Sequence, residues 1–367
     1  MMKRSAPLSA VALLVATAFA LPALAVPAPQ AVAPAAQSSL PKVVILATGG
    51  TIAGVQPKEG DPGYKSGSLS VESLISAAPG VDKLARLDGE QIASIGSQDM
   101  NDAVWFKLAR RVNEVLARPD VAGIVITHGT DTLEETGFFL GLVTRSDKPV
   151  VLVGSMRPAT STSPDGPLNL YNGVAVAADP AAKGLGILVV ANDDLHSARY
   201  IQKTNTTDVQ TFISTGRGPL GEAYYGKMAL YGAPTNRHTT KSEFSLDGLD
   251  ALPRVDIVYA YENVDGAQVK AAVAAGAKGI VLAGVGDGNA TTPMIDALAE
   301  AAKKGVVVVR SSRVGSGIVR RNIELNDDKL GFVAGMDLNP QKARILLRLA
   351  LTKTTDVKSI QRYFEEY

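Results

Sequence analysis

The chain has no cysteine in its 367 residues. That excludes disulfides, thiolate metal sites, cysteine nucleophiles and any lipid anchor built on cysteine. Histidine is nearly as scarce, with only His128, His196 and His238. A Ser-His-Asp triad would have to draw on one of these, and no two have the spacing of a metal-ligating pair. His128, ahead of a glycine, is expected to pack at a strand end. Carboxylates at the spacing of a calcium loop are missing. So are the dinucleotide pattern G-x-G-x-x-G and the P-loop G-x-x-x-x-G-K-[ST]. Neither sign of charge dominates, with 37 Lys and Arg against 36 Asp and Glu. A near-neutral chain lacks the basic face that nucleic acid demands.

Long apolar runs are also lacking, apart from Ala10 to Leu21. That run is shorter than the roughly 20 residues of a membrane span. Lys3 and Arg4 precede it and Ala23-Leu24-Ala25 follows. Residues 1–25 are therefore expected to be a cleaved signal peptide, and the mature protein to reside in the periplasm or outside the cell, free of the membrane. Residues 26–40, rich in Ala and Pro and uncharged, read as an extended spacer. Loss of Lys3 and Arg4 leaves 35 basic against 36 acidic residues, a formal charge of −1. An exported chain without disulfides must rely on its core, and this length suits two domains.

What is present is an alternation of apolar runs and amphipathic segments. Val43–Ala47, Gly123–Thr127, Val150–Gly154 and Ile187–Ala191 lack polar alternation and read as strands buried on both faces. Within Asp99–Arg118, Val104, Leu108, Val112, Val115 and Leu116 recur at helical spacing. Thr132–Leu142 opens with Thr132-x-x-Glu135, a capping-box pattern. After a polar, irregular stretch the alternation resumes with strands over Asp256–Tyr261, Gly279–Ala283 and Val306–Arg310. Thr292-Pro293 and Asn339-Pro340 start helices, each as a cap followed by proline. Helical patterns over Gln341–Thr352 and Asp356–Tyr367 end the chain. The expected fold class is α/β, two α/β domains with mostly parallel sheets. The expected boundaries are 41–231 for an N-terminal catalytic domain, 232–253 for a linker and 254–367 for a C-terminal domain.

Five short polar motifs stand at the ends of apolar runs, where open α/β sheets bind ligands. Ala47-Thr48-Gly49-Gly50-Thr51-Ile52-Ala53-Gly54 follows the first strand. The glycines sharpen the turn so that Thr51 can be presented as a nucleophile. The stretch Val55–Ser68 beyond it reads as a lid loop that delivers Tyr64 as a hydrogen-bonding partner. Taken alone, a tight turn in which Thr51 merely caps the next segment has the stronger claim. Gly96-Ser97-Gln98-Asp99-Met100-Asn101-Asp102 is the second motif. Thr127-His128-Gly129-Thr130-Asp131-Thr132 is the third, a strand end opening a helix whose N–H groups favour a developing oxyanion. Plain helix capping explains the same residues about equally well. Lys203-Thr204-Asn205-Thr206-Thr207-Asp208 supplies a lysine that, held dry near a hydroxyl, can act as a base, with Asp131 tuning it. A solvated surface charge is the plain alternative for Lys203. Gly284-Val285-Gly286-Asp287-Gly288-Asn289 is the fifth.

Together with Lys148–Arg157, Asp165-Gly166-Pro167, Arg310–Val314 and Asn339–Leu351, these motifs make the chain resemble the bacterial L-asparaginase family, and more closely its secreted type II branch, from about Pro41 to Tyr367. The resemblance implies an asparaginase-like fold and an amidase that removes ammonia from the side chain of asparagine, and often of glutamine, without metal or organic cofactor. It implies Thr51 as nucleophile, with Tyr64 beside it, and Thr130, Asp131 and Lys203 as a second catalytic set. Ser97 and Gln98 are implied to hold the substrate α-carboxylate, and Asp131 its α-ammonium. Asn289 and Glu324 are implied to reach the site of a neighbouring subunit, in a homotetramer built from dimers that share sites. The chain departs from many relatives in lacking their disulfide, and in carrying Asp287 where Asn is common. Asn289 leans toward asparagine preference, since members with strong glutaminase activity often carry Ser there. The competing reading is a periplasmic amino-acid-binding protein without catalysis, which would have no use for a second hydroxyl–lysine set.

Overall fold

The uninterrupted apolar runs form the centre of an eight-stranded sheet in the computed structural model, which describes residues 40–58 and 60–367. The expected leader and almost all of the spacer lie outside the described residues. Strand β1 (Lys42–Gly49) lies between β2 (Arg86–Ile95) and β3 (Gly123–Thr127), parallel to both. Beyond β3 come β4 (Val150–Val153) and β5 (Ile187–Ala191), also parallel. All five residues of β3 and of β5 are buried, as strands covered on both faces must be.

Four helices accompany this half: α1 (Val71–Ser76), α2 (Asp102–Leu116), α3 (Leu133–Val143) and α4 (Gly166–Ala178). Helix α2 starts where the Asn101 side chain accepts from Val104 N–H, and it buries Trp105, Phe106, Leu108, Val112 and Val115. Trp105 stacks on Phe139 of α3 at 4.7 Å and donates to Thr136 Oγ1 at 2.9 Å. Side chains of this size each contribute about 1.5–3 kcal/mol when fully buried.

After β5 the chain reverses. Asn192 and Asp193 take φ of 52° and 66°, the left-handed pair of a two-residue hairpin turn. Strand β6 (Asp194–Ser197) returns antiparallel to β5. A separate hairpin of β7 (Ile201–Lys203) and β8 (Phe212–Ser214) follows. Strands β9 (Gly221–Tyr224) and β10 (Lys227–Leu230) then finish the edge of the large sheet, joined by Tyr225-Gly226 at φ 44° and 79°. The antiparallel third was not expected from the sequence. Nor was β2, where only Ile92 of ten residues is buried.

Residues 232–253 hold no strand and no α-helix among those described, only a 3-10 turn at Thr239–Lys241. Phe244 there is fully buried against the rings of Tyr363 and Tyr367. The second sheet is all parallel: β11 (Val255–Tyr259), β12 (Gly279–Gly284), β13 (Val307–Ser312) and β14 (Phe332–Ala334), in that order. It packs with α5 (Ala267–Ala274), α6 (Thr292–Lys303), α7 (Asp327–Leu330), α8 (Pro340–Ala350) and α9 (Val357–Glu366). The architecture is the expected one of two α/β halves with mostly parallel sheets.

Two helix starts are built as expected and two differently. Asn339 caps α8 by accepting from Lys342 N–H at 3.1 Å, and Asp356 caps α9. At α6 the cap position is Thr291, so Thr292 and Pro293 are already helical. The Thr291 hydroxyl donates to Val264 O and accepts no N–H from its own helix. The capping box at Thr132 and Glu135 does not form. Thr132 Oγ1 donates to Ser97 O at 2.8 Å, because the end of β2 lies close enough to claim it.

Candidate active site

The ends of β2, β1 and β3 lie side by side, and each carries one of the first three motifs. Their glycines set the spacing. Gly49 and Gly50 have φ of 107° and 83°, open to glycine and strained for other residues. A Cβ at Gly49 would lie 2.4 Å from Ile95 O on β2, and one at Gly50 would lie 2.3 Å from Gly129 Cα just past β3. A Cβ at Gly129 would in turn meet Ser97 Oγ at 2.6 Å. Backbone is thus in contact with backbone where the three motifs meet.

Thr51 leads a 3-10 turn and is 7% exposed. Its Oγ1 lies 2.8 Å from the Tyr64 hydroxyl. Tyr64 comes from the loop over residues 55–68, whose limbs are tied by Val55 N–H to Lys65 O at 3.0 Å and Lys65 N–H to Val55 O at 2.9 Å. Gly54 lets the ring lie close, since a Cβ there would be 2.8 Å from Tyr64 Cδ2. The tyrosine is 42% exposed, so its outer face borders open space.

Ser97 is buried and accepts from Asp131 N–H through Oγ at 3.1 Å. Gln98 is exposed and folds back over Gly96, with Nε2 3.4 Å from Asp99 Oδ2. Thr130 is buried. Lys203, last residue of β7, donates from Nζ to Thr130 Oγ1 at 2.9 Å and to Asp131 Oδ1 at 2.6 Å. Lys203 is therefore no free surface charge: its side chain is 18% exposed and that of Asp131 56%. A heavy-atom distance of 2.9 Å serves proton transfer in either direction between Thr130 and Lys203. A pocket bordered by Asp131, Glu134, Lys203, Asn205 and Gln341 opens beside them.

His128 does not serve as a base. It is fully buried, its Nδ1 is 2.7 Å from Gly129 O, and its Nε2 has no hydrogen-bond partner among the described residues. Burial pushes its pKa down to about 4, which keeps the ring neutral. Among the described residues no group of three or more His, Asp or Glu could hold a metal ion.

Asn289 and Glu324 meet each other and not the first group. Asn289 Nδ2 donates to Glu324 Oε2 at 2.8 Å, and among the described residues no hydrogen bond or ion pair joins either to Thr51, Ser97, Thr130, Asp131 or Lys203. Asn289 closes a small loop through paired backbone bonds with Val285, both 2.8 Å. The fully buried Arg310 braces that loop from below, donating to the carbonyls of Asp287 and Gly288. Arg310 is paired at 2.6 and 2.7 Å with the equally buried Asp327. The Asp287 carboxylate accepts from Arg320 N–H at 3.0 Å. No role was expected from the sequence for three residues that brace these groups, Glu134, Arg310 and Asp327. Glu134 was hidden by the capping-box pattern, which drew attention to Glu135 one residue on.

Comparison with known proteins places the described chain in one family. The family model "Asparaginase, N-terminal" matches residues 42–236, and "Glutaminase/Asparaginase C-terminal domain" matches 254–364. The chain is 52% identical over 330 residues to a "Probable L-asparaginase periplasmic" of Haemophilus influenzae, covering 90% of this chain and 94% of the relative. It is 51% identical to "L-asparaginase 2" of Escherichia coli, with 90% and 94% covered. It is 47% identical to a "Glutaminase-asparaginase" of Pseudomonas fluorescens, with 90% and 92% covered. A crystal structure of a "Probable Cytoplasmic L-asparaginase" from Campylobacter jejuni superimposes with a TM-score of 0.86 at 46% identity, covering 89% of this chain and all of that one.

Proposed function

The chain belongs to the asparaginase family, and on that premise we propose that it hydrolyses the side-chain amide of L-asparagine to L-aspartate and ammonia, with L-glutamine as a second amide. The observation that supports this reading is that two threonine sets, Thr51–Tyr64 and Thr130–Lys203–Asp131, stand at the ends of neighbouring strands.

In this reading Ser97 and Gln98 hold the substrate carboxylate and Asp131 its ammonium. Fixing both ends saves much of the entropic cost of encounter and sets the amide carbon over Thr51. Thr51 Oγ, its hydroxyl oriented by Tyr64, forms a bond to that carbon and releases the proton that the departing nitrogen will take. The carbonyl oxygen becomes an oxyanion held by N–H groups, that of Thr130 among them, a contact worth roughly 3 kcal/mol per donor. The C–N bond then breaks, the nitrogen takes a proton, and ammonia leaves an ester on Thr51. Water adds to the ester carbon, giving its proton to the Thr130–Lys203 pair, and Thr51 departs with a proton as aspartate forms. Proton transfer of this kind contributes about 10²–10⁴ in rate.

The leader at residues 1–25 supports export, to the periplasm or beyond it, of domains over 41–231 and 254–367 joined through 232–253. The Asn289–Glu324 pair, which makes no hydrogen bond to the first group among the described residues, suits a homotetramer in which it completes a neighbour's site. The experiment is ammonia release from L-asparagine and L-glutamine by wild type and Thr51→Ala. The variant should fall below on the order of 10⁻³ of wild type. Full turnover by the variant would remove Thr51 from the mechanism. Saturable binding without ammonia from the wild type would make the chain a binding protein.

A further inference from the structure

Strand β7 is short, three residues, and yet it ends in the lysine on which the second set depends. A two-stranded hairpin of that size is marginal by itself. Most of its supports come from the second half of the chain. Lys342 of α8, fully buried, donates from Nζ to Arg199 O at 3.2 Å and to Ile201 O. Arg199 donates to Asp337 Oδ1 at 2.5 Å and to Tyr367 O. Gln202 Nε2 and Thr215 Oγ1 both donate to Gly315 O, at 2.9 and 3.0 Å.

The remaining support is Glu134, a carboxylate only 4% exposed and one turn past Thr130. Its Oε2 accepts from Lys203 N–H at 3.0 Å. Its Oε1 accepts from Asn339 Nδ2 at 3.0 Å and from Gln341 Nε2 at 2.5 Å. All three neighbours are donors, so an acceptor-only group fits and an amide does not. A buried charge persists only where such partners satisfy it.

We propose that Glu134 is a positioning residue for Lys203, a buried clamp through which the N-terminus of α8 sets where the lysine Nζ stands relative to Thr130. This rests on the role given to Lys203 above. It also gives the C-terminal half a task in its own subunit besides the one it is proposed to have in a neighbour's site.

Glu134→Gln tests the clamp. Its Oε1 can serve one side, while its NH₂ then confronts a donor on the other. Kcat for asparagine should fall about 10–10²-fold, the scale of a misplacement near 1 Å, with KM not raised. The double variant Glu134→Gln with Gln341→Glu restores one acceptor on each side of the contact. It should recover kcat to within about threefold of wild type, a rescue that general destabilisation would not produce. Wild-type kcat in Glu134→Gln, or an unrescued double variant that melts like wild type, would overturn the proposal. If Glu134→Gln does not fold, Gln341→Leu decides. It removes one donor, and a kcat unchanged from wild type would equally overturn it. Lys203→Met separates the two readings: an active Lys203→Met defeats the lysine's role, whereas an inactive one beside a fully active Glu134→Gln defeats only the clamp.

Discussion

Thr51 and Thr130 stand at the ends of neighbouring strands, but each is equipped in a different way. Thr51 has a neutral partner, Tyr64, supplied 13 residues further on by a surface loop tied at Val55 and Lys65. Thr130 has charged partners, and the lysine comes from 73 residues away on a hairpin held by the other half of the molecule. One set is local, its partner borne on a surface loop. The other is assembled by the whole fold and has few ways to move. The proposed hydrolysis through an ester would use both kinds: a nucleophile that the substrate can reach, and a proton relay held in fixed geometry.

The contrast can be broken most severely at Lys203. Replacing it by Met should lower kcat by about 10²–10⁴ and leave the melting temperature nearly unchanged, since the side chain is partly exposed and its ion pair with exposed Asp131 is of modest worth. Steady-state ammonia release and a thermal melt check both halves of that statement. A next, smaller effect concerns acid. Burial pushes the pKa of His128, directly behind Gly129, and of His196 down to about 4. The unfolded chain binds these protons from about pH 6.5 downward while the folded one refuses them, so stability is full at neutral pH and falls as pH drops from about 6.5 toward 4. The loss at the lower limit is about 3 kcal/mol per histidine. Urea midpoints at pH 7 and 4.5 measure it, and a flat profile would mean that the rings are solvated. The smallest effect is expected at Tyr64→Phe. Losing one neutral hydroxyl bond to Thr51 is worth about 1 kcal/mol, so kcat should fall about tenfold at most unless the tyrosine also carries the proton. A loss beyond about 10²-fold would show that it does.

Much of this was legible in the sequence, for identifiable reasons. Strands β1, β3, β4, β5 and β12 are buried on both faces, so each is an unbroken apolar word. Strand β2 was missed because it lies at the sheet edge and reads Arg-Leu-Asp-Gly-Glu-Gln, with Ile92 alone buried. The antiparallel extension was missed because its strands hold four residues each, though Asn192-Asp193 and Tyr225-Gly226 were signals of tight hairpins. Thr51, Ser97, Thr130 and Lys203 stood out as polar residues closing apolar runs or heading polar ones. Glu134 and Arg310 did not, because each sits inside a helix or strand pattern and acts only through partners distant in the chain. Resemblance to a family singled out the reactive groups more readily than the residues that hold them.

The close approach of Gly50 to Gly129 has a consequence for how such a chain can diverge. Both positions are closed to drift, but for unlike reasons. Gly50 is confined by its left-handed backbone as well as by Gly129, and Gly129 by the Ser97 hydroxyl at its side. A change at one cannot be compensated by a change at the other. Lineages that alter the substrate must therefore do so through loops and side chains around this contact of two glycines. That point of the protein's mutational landscape is a wall on every side and not a valley to be crossed in two steps.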